Sequence, residues 1–451
     1  MMGERAVRQE ALFYGFSLDD HVPADHLLRV IDRFVELTEI RRQLEPYYSA
    51  IGRPSVDPEL IIRMLLVGYC CGIRSERRLC DEVHLNLAYR WFCRLGLDGT
   101  VPDHSTFSKN RHGRFRDSDL LRRLFEATVR RCMAEGLVGG EGFAVDASMV
   151  RADAHRQRGV TSPAELDPED ASRAVTEYLA TLDDAAFGAA TEVVPKFISP
   201  TDPAARWTAA AGGPACYAYC DNYLIDLKHA VIMDVEPTTA VRQAEVTAAQ
   251  TMLTRTAETF GLWPERLAAD TGYGSAAMLG WLVYERGIEP HIPVFDKSKR
   301  TDGTFSREDF RYDHAGDAYT CPGGKLLTTR GTLVNDDATM IYRASKYDCA
   351  GCVLKPRCCP EQSCRKVPRS IHEGARDLAR QIAQTEAYII SRRERKKIEM
   401  LFAHLKRILG LDRLRLRGPC GARDEFLLAA AAQNLRKMAK LIPASRPVPA
   451  G

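Results

Sequence analysis

Over the first 135 residues, apolar side chains recur at three- and four-residue intervals, the spacing of amphipathic helices. Asp25 can cap a helix through His26–Ile31. Asp57-Pro58 supplies a cap followed by proline at the first helical position, and that helix should end near Gly72. Ser75 then caps Glu76 to Val83. The short turn between the two helices has helix-turn-helix spacing, which any αα-hairpin shares. Pro102-Asp103-His104-Ser105-Thr106 begins another helix, carrying Lys109, Asn110, Arg111, His112 and Arg114. From Glu141 the pattern changes. Glu141 to Val150 is a short, mostly apolar run that predicts a buried strand. Tyr217–Asp226 and His229–Glu236 predict an antiparallel hairpin, Gln243–Phe260 a helix, Arg266–Ala269 a strand, Ser275–Arg286 a helix and Pro290–Val294 a strand. Further on, Ile398, Leu401, Phe402, Leu405 and Leu409 mark one face of a helix covering Arg392–Lys406, and Asp424 to Leu441 forms a last amphipathic helix.

Two stretches interrupt this alternation. Residues 155–215 are rich in Ala, Asp and Pro and read as an insertion with one acidic helix, capped by Ser162, with Pro163 in its first turn and its end near Leu182. Residues 296–380 carry Cys321, Cys349, Cys352, Cys358, Cys359 and Cys364. The expected organisation is an all-α N-terminal domain (1–135), an α/β core (136–295), a cysteine-rich insertion (296–380) and a C-terminal segment (381–451) with the Arg392–Lys406 helix and a basic tail.

Composition adds little beyond an ordinary globular character. The 451 residues carry a net charge of only +3, but residues 365–417 are basic and residues 164–184 acidic, so a phosphate-bearing partner fits the local surface better than the whole. The opening Met-Met-Gly-Glu-Arg-Ala-Val lacks the apolar core of a signal peptide, and the run Ile61–Ile73 is too short to span a bilayer. A cytoplasmic, nucleoid-associated protein with no membrane partner and 14 reduced cysteines is expected.

Three acids stand in informative places. Asp146 lies inside an apolar strand, where an unpaired charge is costly and a metal or strong partner is expected. Asp270 ends a strand before two glycines and a helix, a frequent site position in α/β sheets, although an acid there also serves as a turn former. Glu399 sits in a file of cations with Arg392, Arg395 and Lys406, which an amphipathic helix with i,i+4 ion pairs would also display. Attack on a phosphodiester uses two divalent ions about 3.5–4 Å apart, held by a few carboxylates, and that chemistry calls for such a trio. Cys349-x-x-Cys352 has zinc-knuckle spacing; with Cys321 and Cys358 it forms a candidate structural Zn2+ site, the alternative being a reduced, metal-free loop domain. The helix with Lys109 and Arg111 could lie on a DNA backbone or join two domains as a solvated element.

Arg395-x3-Glu399-x6-Lys406 resembles the Y-x2-R-x3-E-x6-K signature of bacterial insertion-sequence transposases of the DDE type; the position of the family's tyrosine holds Arg392. Asp146 in Val-Asp-Ala-Ser and Asp270 in Ala-Asp-Thr-Gly-Tyr resemble the first two acids of that family, Pro102 to Arg111 a segment of its helical N-terminal region, and Cys321 to Cys358 a cysteine-bearing insertion of one branch. The resemblance implies a ribonuclease-H-like α/β core with insertions, Mg2+ or Mn2+ held by Asp146, Asp270 and Glu399, and DNA phosphates met by Arg395 and Lys406; Arg392, Lys109 and Arg111 are further DNA-contact candidates from their charge and place in the sequence. The implied partners are double-stranded DNA, as element ends and target, and further copies of the chain assembled on it. Two other functions share these features: a two-metal nuclease without strand transfer, and a repurposed, non-catalytic DNA-binding protein.

Overall fold

The computed structural model describes residues 15–48, 51, 55–162, 165–166, 172–180, 197–209, 213–296, 300–335 and 338–442. Its main elements, in chain order, begin with helices α1 (Leu27–Asp32), α2 (Pro58–Cys70), α3 (Glu76–Leu85), α4 (Ser105–His112) and α5 (Leu120–Ala134). Strand β1 (Gly142–Arg151) follows, then α6 (Arg173–Ala180), β2 (Arg206–Thr208), β3 (Cys216–Asp226), β4 (Ile232–Thr239), α7 (Arg242–Phe260), β5 (Arg266–Ala268), α8 (Ala276–Gly280) and β6 (Glu289–His291). The cysteine-rich region holds β7 (Arg311–Asp313), β8 (Ala318–Thr320), β9 (Leu326–Thr328), β10 (Leu333–Val334), β11 (Thr339–Ala344) and β12 (Lys366–Ser370). Helices α9 (Glu373–Ile382), α10 (Glu386–Arg407) and α11 (Gly418–Leu441) close the described chain. Among the described residues no helix is long and apolar enough to cross a membrane.

The chain forms two compact units, one of residues 1–139, 147–261 and 398–451, the other of residues 140–146 and 262–397. In the first unit the N-terminal helices form locally for the reasons their sequence suggests. Asp57 accepts a hydrogen bond from the Glu59 amide with Pro58 in the first turn, and Ser75 accepts from the Arg78 amide. Between them Gly72 has φ +73°, and a Cβ there would stand 2.7 Å from the Ile408 carbonyl oxygen, so only glycine makes this turn. His26, not Asp25, caps α1: its ring nitrogen accepts from the Leu28 amide. The C-terminal helix α11 packs on α2, α5 and β4. Ala429, Ala430, Ala431 and Ala432 are all buried, and their small side chains let neighbouring backbones approach on every side. That packing is why the chain's last segment belongs with its first, a tertiary fact that local patterns do not carry.

β3 pairs antiparallel with β4, from Tyr219↔Thr239 to Ile225↔Ile232, and with β2; its other neighbour is β1. In the insertion, α6 starts at Arg173, well after the expected start at Ser162; the amides of Thr161 and Ser162 are taken by the Glu165 carboxylate instead. Pro163 lies outside the described residues.

In the second unit the first half of β1 runs parallel to β5, with Gly142↔Arg266, Phe143↔Leu267 and Ala144↔Ala268, and β5 runs parallel to β6. Helix α8, capped by Ser275, continues as a π-helical turn over Trp281–Glu285. The cysteine-rich region, expected to break the pattern, is a second sheet in the order β10-β11-β9-β8-β7 with β12 on β11. Its core joins Phe310, Tyr319, Leu327, Tyr342 and Val367 to Cys349, Cys358 and Cys359.

Candidate active site

The parallel register sets the first two acids. Asp146 lies two residues past Ala144 on β1, and Asp270 two residues past Ala268, the partner of Ala144 on β5. Neighbouring strands run about 4.8 Å apart, so equal counts from a paired position bring the two carboxylates to the same end of adjacent strands. Asp270 has left the ladder: its Oδ1 accepts from the Gly272 amide at 2.6 Å and caps a turn of 3-10 helix over Thr271–Tyr273. The next residue of this turn must be glycine. A Cβ on Gly274 would lie 2.0 Å from the Pro293 carbonyl oxygen, on the segment whose Phe295 amide donates to the Gly274 carbonyl. Asp270 therefore serves as a turn former while its side chain stays exposed.

Asp146 has the strong partner its setting demands. Arg395 Nη1 on α10 donates to Asp146 Oδ2 at 2.9 Å, with both side chains about one-fifth exposed (21% and 22%). Glu399 follows Arg395 by one helical turn on the same helix and is exposed, as is Arg392. The apolar stripe read from the sequence is the buried one: Ile398, Leu401, Phe402, Leu405 and Leu409 are all buried. Within the first unit Phe402 stacks on Tyr223 at 4.8 Å between ring centroids. Tyr223 donates to Gln433, and Gln433 donates to the Leu401 carbonyl at 2.8 Å, so the C-terminal half of α10 is fixed by packing and hydrogen bonds together.

Lys406 is half-buried, and its ammonium donates to the Met149 carbonyl on β1 at 2.9 Å. Burial lowers its pKa. Beside it lies a carboxylate the sequence reading did not single out. Asp221 on β3 is fully buried, neither oxygen makes a hydrogen bond, and burial pushes its pKa well above the carboxylate range against the attraction of Lys406. The signal was present in the sequence as an acid inside Tyr219-Cys220-Asp221-Asn222-Tyr223, a strand otherwise read only for its hairpin.

The two residues on α4 expected to meet DNA part company. Lys109 is exposed. Arg111 is buried and ion-paired with Glu76, with Asp424 3.9 Å from its Nε. Its cation is spent inside the helical region, which corrects the expectation that it meets DNA. Charge density along a short helix does not reveal which cations face inward.

The cysteines do gather. A Cβ on Gly323 would stand 3.6 Å from Cys321 Sγ and 3.7 Å from Cys352 Sγ, so these two thiols flank one turn. Cys349 and Cys358 are buried in the adjoining core, and burial pushes the Cys358 thiol up to about 12. Cys359 and Cys364, left out of the expected ligand set, pack in the same place. Among the described residues no group of three or more His, Cys, Asp or Glu side chains is arranged to hold a metal ion, at the cysteines or at the carboxylates. By chemistry the donor sets still suit different ions: thiolates for zinc, and the oxygens of Asp146, Asp270 and Glu399 for a hard divalent cation.

Two family models match the chain. One, described as Transposase domain (DUF772), covers residues 16–113, and the other, described as Transposase DDE domain, covers residues 320–439. The first spans the helical region with Lys109 and Arg111, the second the cysteine cluster and the helix with Arg395, Glu399 and Lys406. No curated protein matches the chain. Both matches are to transposase domains, and together they support an insertion-sequence transposase of the DDE type.

Proposed function

We propose that this transposase binds the terminal inverted repeats of its element as double-stranded DNA, cuts them, and joins the freed ends to target DNA from a ribonuclease-H-like core. One observation carries the reading: Asp146 and Asp270 each stand two residues past the paired Ala144 and Ala268 of adjacent parallel strands, and Arg395, one turn before Glu399, is bonded to Asp146. An antiparallel pair, β3 and β4, beside β1, with two further parallel strands, β5 and β6, supports a ribonuclease-H-like layout. Asp146, Asp270 and Glu399 would hold Mg2+ or Mn2+, which supply an activated hydroxyl and stabilise the leaving oxygen. The chain's own contribution is positioning. Arg395 orients Asp146 and neutralises its charge, Lys406 holds the β1 backbone at Met149, and the Asp270 turn is locked by Gly274. Arg392 and Lys109, both exposed, would meet DNA phosphates. Cys321, Cys349, Cys352 and Cys358 would hold a structural Zn2+ in the insertion.

The test is cleavage of a labelled element-end duplex by the full chain, followed on a gel with added target DNA. Cut ends covalently joined to target support the transposase reading. Cutting without joining would leave a two-metal nuclease, and binding without cutting a repurposed DNA-binding protein.

A further inference from the structure

The second unit contains a cavity of about 570 Å3 that no part of the chemistry above uses. Its wall carries five cations, Arg300, Arg307, Arg365, Lys366 and Arg376, against one carboxylate, Asp296. Asp296 is engaged by Arg307 at 2.6 Å, Arg380 at 2.9 Å and Arg376 at 3.3 Å, and the buried Glu373 behind the wall pairs with Arg307 and Arg376 at 2.8 Å each, which leaves Arg300, Arg365 and Lys366 outside these pairs. Arg365 stands apart. It is buried, 6% exposed, and its two terminal nitrogens donate to the neutral carbonyls of Cys358 and Phe305 at 2.8 Å each. Its Nε makes no hydrogen bond. A guanidinium taken out of water, hydrogen-bonded only to neutral carbonyls and repelled by Arg300 more strongly than Asp302 attracts it, is a charge that an anion would stabilise. Arg300 and Lys366 are exposed, which leaves the cavity open to solvent-borne ligands.

We infer that this cavity is a phosphate-binding site whose occupant is a phosphodiester of the DNA strand handled at the Asp270 turn. Planar guanidinium forks match the paired oxygens of a phosphate, and a lysine adds a mobile donor. Ser275 and Ala276, on the cavity wall, follow Asp270 by five and six residues, so a strand lying on that turn passes the cavity's edge. The inference names a subsite of the DNA proposed above and rests on that reading for the source of the phosphate. The other source of the same chemistry is free phosphate or pyrophosphate.

The experiment measures binding, not chemistry. Full-length wild type, Arg300→Ala, Lys366→Ala and the double variant are titrated with element-end duplex without divalent ions over a range of salt concentrations, and their thermal melting is followed with and without inorganic pyrophosphate. Both substituted side chains are exposed, so the fold should persist, and melting without ligand verifies that. The expected result is weaker DNA binding in each variant, a log–log salt slope shallower by about 0.9 for each phosphate no longer neutralised, and pyrophosphate stabilisation in wild type only. Equal affinity and slope in all four proteins, with no stabilisation by pyrophosphate, would overturn the inference while leaving cleavage by wild type untouched. Stabilisation by pyrophosphate with an unchanged DNA slope would keep an anion site but overturn DNA as its occupant. A slope that shifts in a protein that cuts nothing would sink the catalytic reading and keep the subsite.

Discussion

Arg395 Nη1 donates to Asp146 Oδ2 over 2.9 Å and so ties the helix that carries Glu399 to the strand that carries the first acid. The pair is mostly shielded, and loss of a hydrogen bond to a charged group in such a setting costs about 1.5–3 kcal/mol. Arg395→Ala should lower the melting temperature by several degrees and reduce cleavage by a far larger factor than it reduces DNA affinity. Arg395→Lys keeps the charge without the planar fork and should recover stability better than activity. Equal losses of affinity and cleavage in Arg395→Ala would assign this residue to DNA binding alone.

Lys109 and Arg111 sit two residues apart on α4 but should respond differently. Removing one member of a buried ion pair costs about 3–5 kcal/mol, because the other charge is left uncompensated. Arg111→Ala should therefore destabilise the helical region strongly through Glu76, and its DNA binding should fall only as the folded fraction falls. Lys109→Ala, at an exposed site, should leave melting unchanged within a few tenths of a kcal/mol and weaken DNA binding in a salt-dependent way. Calorimetry beside a binding titration separates the two effects.

How far the sequence carries can be read at particular residues. Caps and turns were legible because their chemistry is local: Asp57 with Pro58, Ser75 and Ser275 each begin a helix where expected. The buried stripe on α10 was legible from its period. The partner of Asp146 was only half-legible, since a strong partner was expected but nothing local named Arg395. The inward turn of Arg111, the place of α11 against α2 and α5, and the second sheet in the cysteine-rich region all depend on interactions between distant segments. The strands of that sheet are two to six residues long and show no sustained alternation.

Asp202 supplies a pH dependence. It is fully buried, Tyr219 Oη donates to its Oδ1 at 2.6 Å, and burial raises its pKa from 3.8 to about 6. Below the unfolded value both states hold the proton and the group is neutral for stability. Between about 4 and 6 the unfolded chain loses its proton while the folded chain keeps it, so stability falls as pH rises. A shift of this size corresponds to about 2–3 kcal/mol, fully expressed above the folded pKa. Asp202→Asn should flatten the fall in melting temperature over that window. An unchanged pH profile in the variant would show that the carboxylate is ionised in the folded protein.

Zinc is tested at the cysteines. Elemental analysis of the purified full chain should find about one zinc per chain. Cys352→Ser should lose it, together with the protease resistance of residues 320–365, while Cys71→Ser, in the helical region, should keep both. Protein without zinc and with the insertion still protease-resistant would mean that the core of Phe310, Tyr319 and Tyr342 holds this sheet by packing alone.

We propose that Asp146, Asp270 and Glu399 act as one catalytic unit. The most direct test is the rate of Mg2+-dependent cleavage of element-end DNA by Asp146→Asn, Asp270→Asn and Glu399→Gln, measured beside the affinity of each for the same duplex. Each substitution preserves size and removes ligand charge. Each single variant should cut at no detectable rate and bind within a few-fold of wild type, with Asp270→Asn and Glu399→Gln melting as wild type does and Asp146→Asn below it because Arg395 loses its charged partner, and double variants should cut no worse than single ones. A Glu399→Gln protein that cuts at the wild-type rate, or Asp146→Asn and Asp270→Asn losses that multiply as independent effects, would contradict the account.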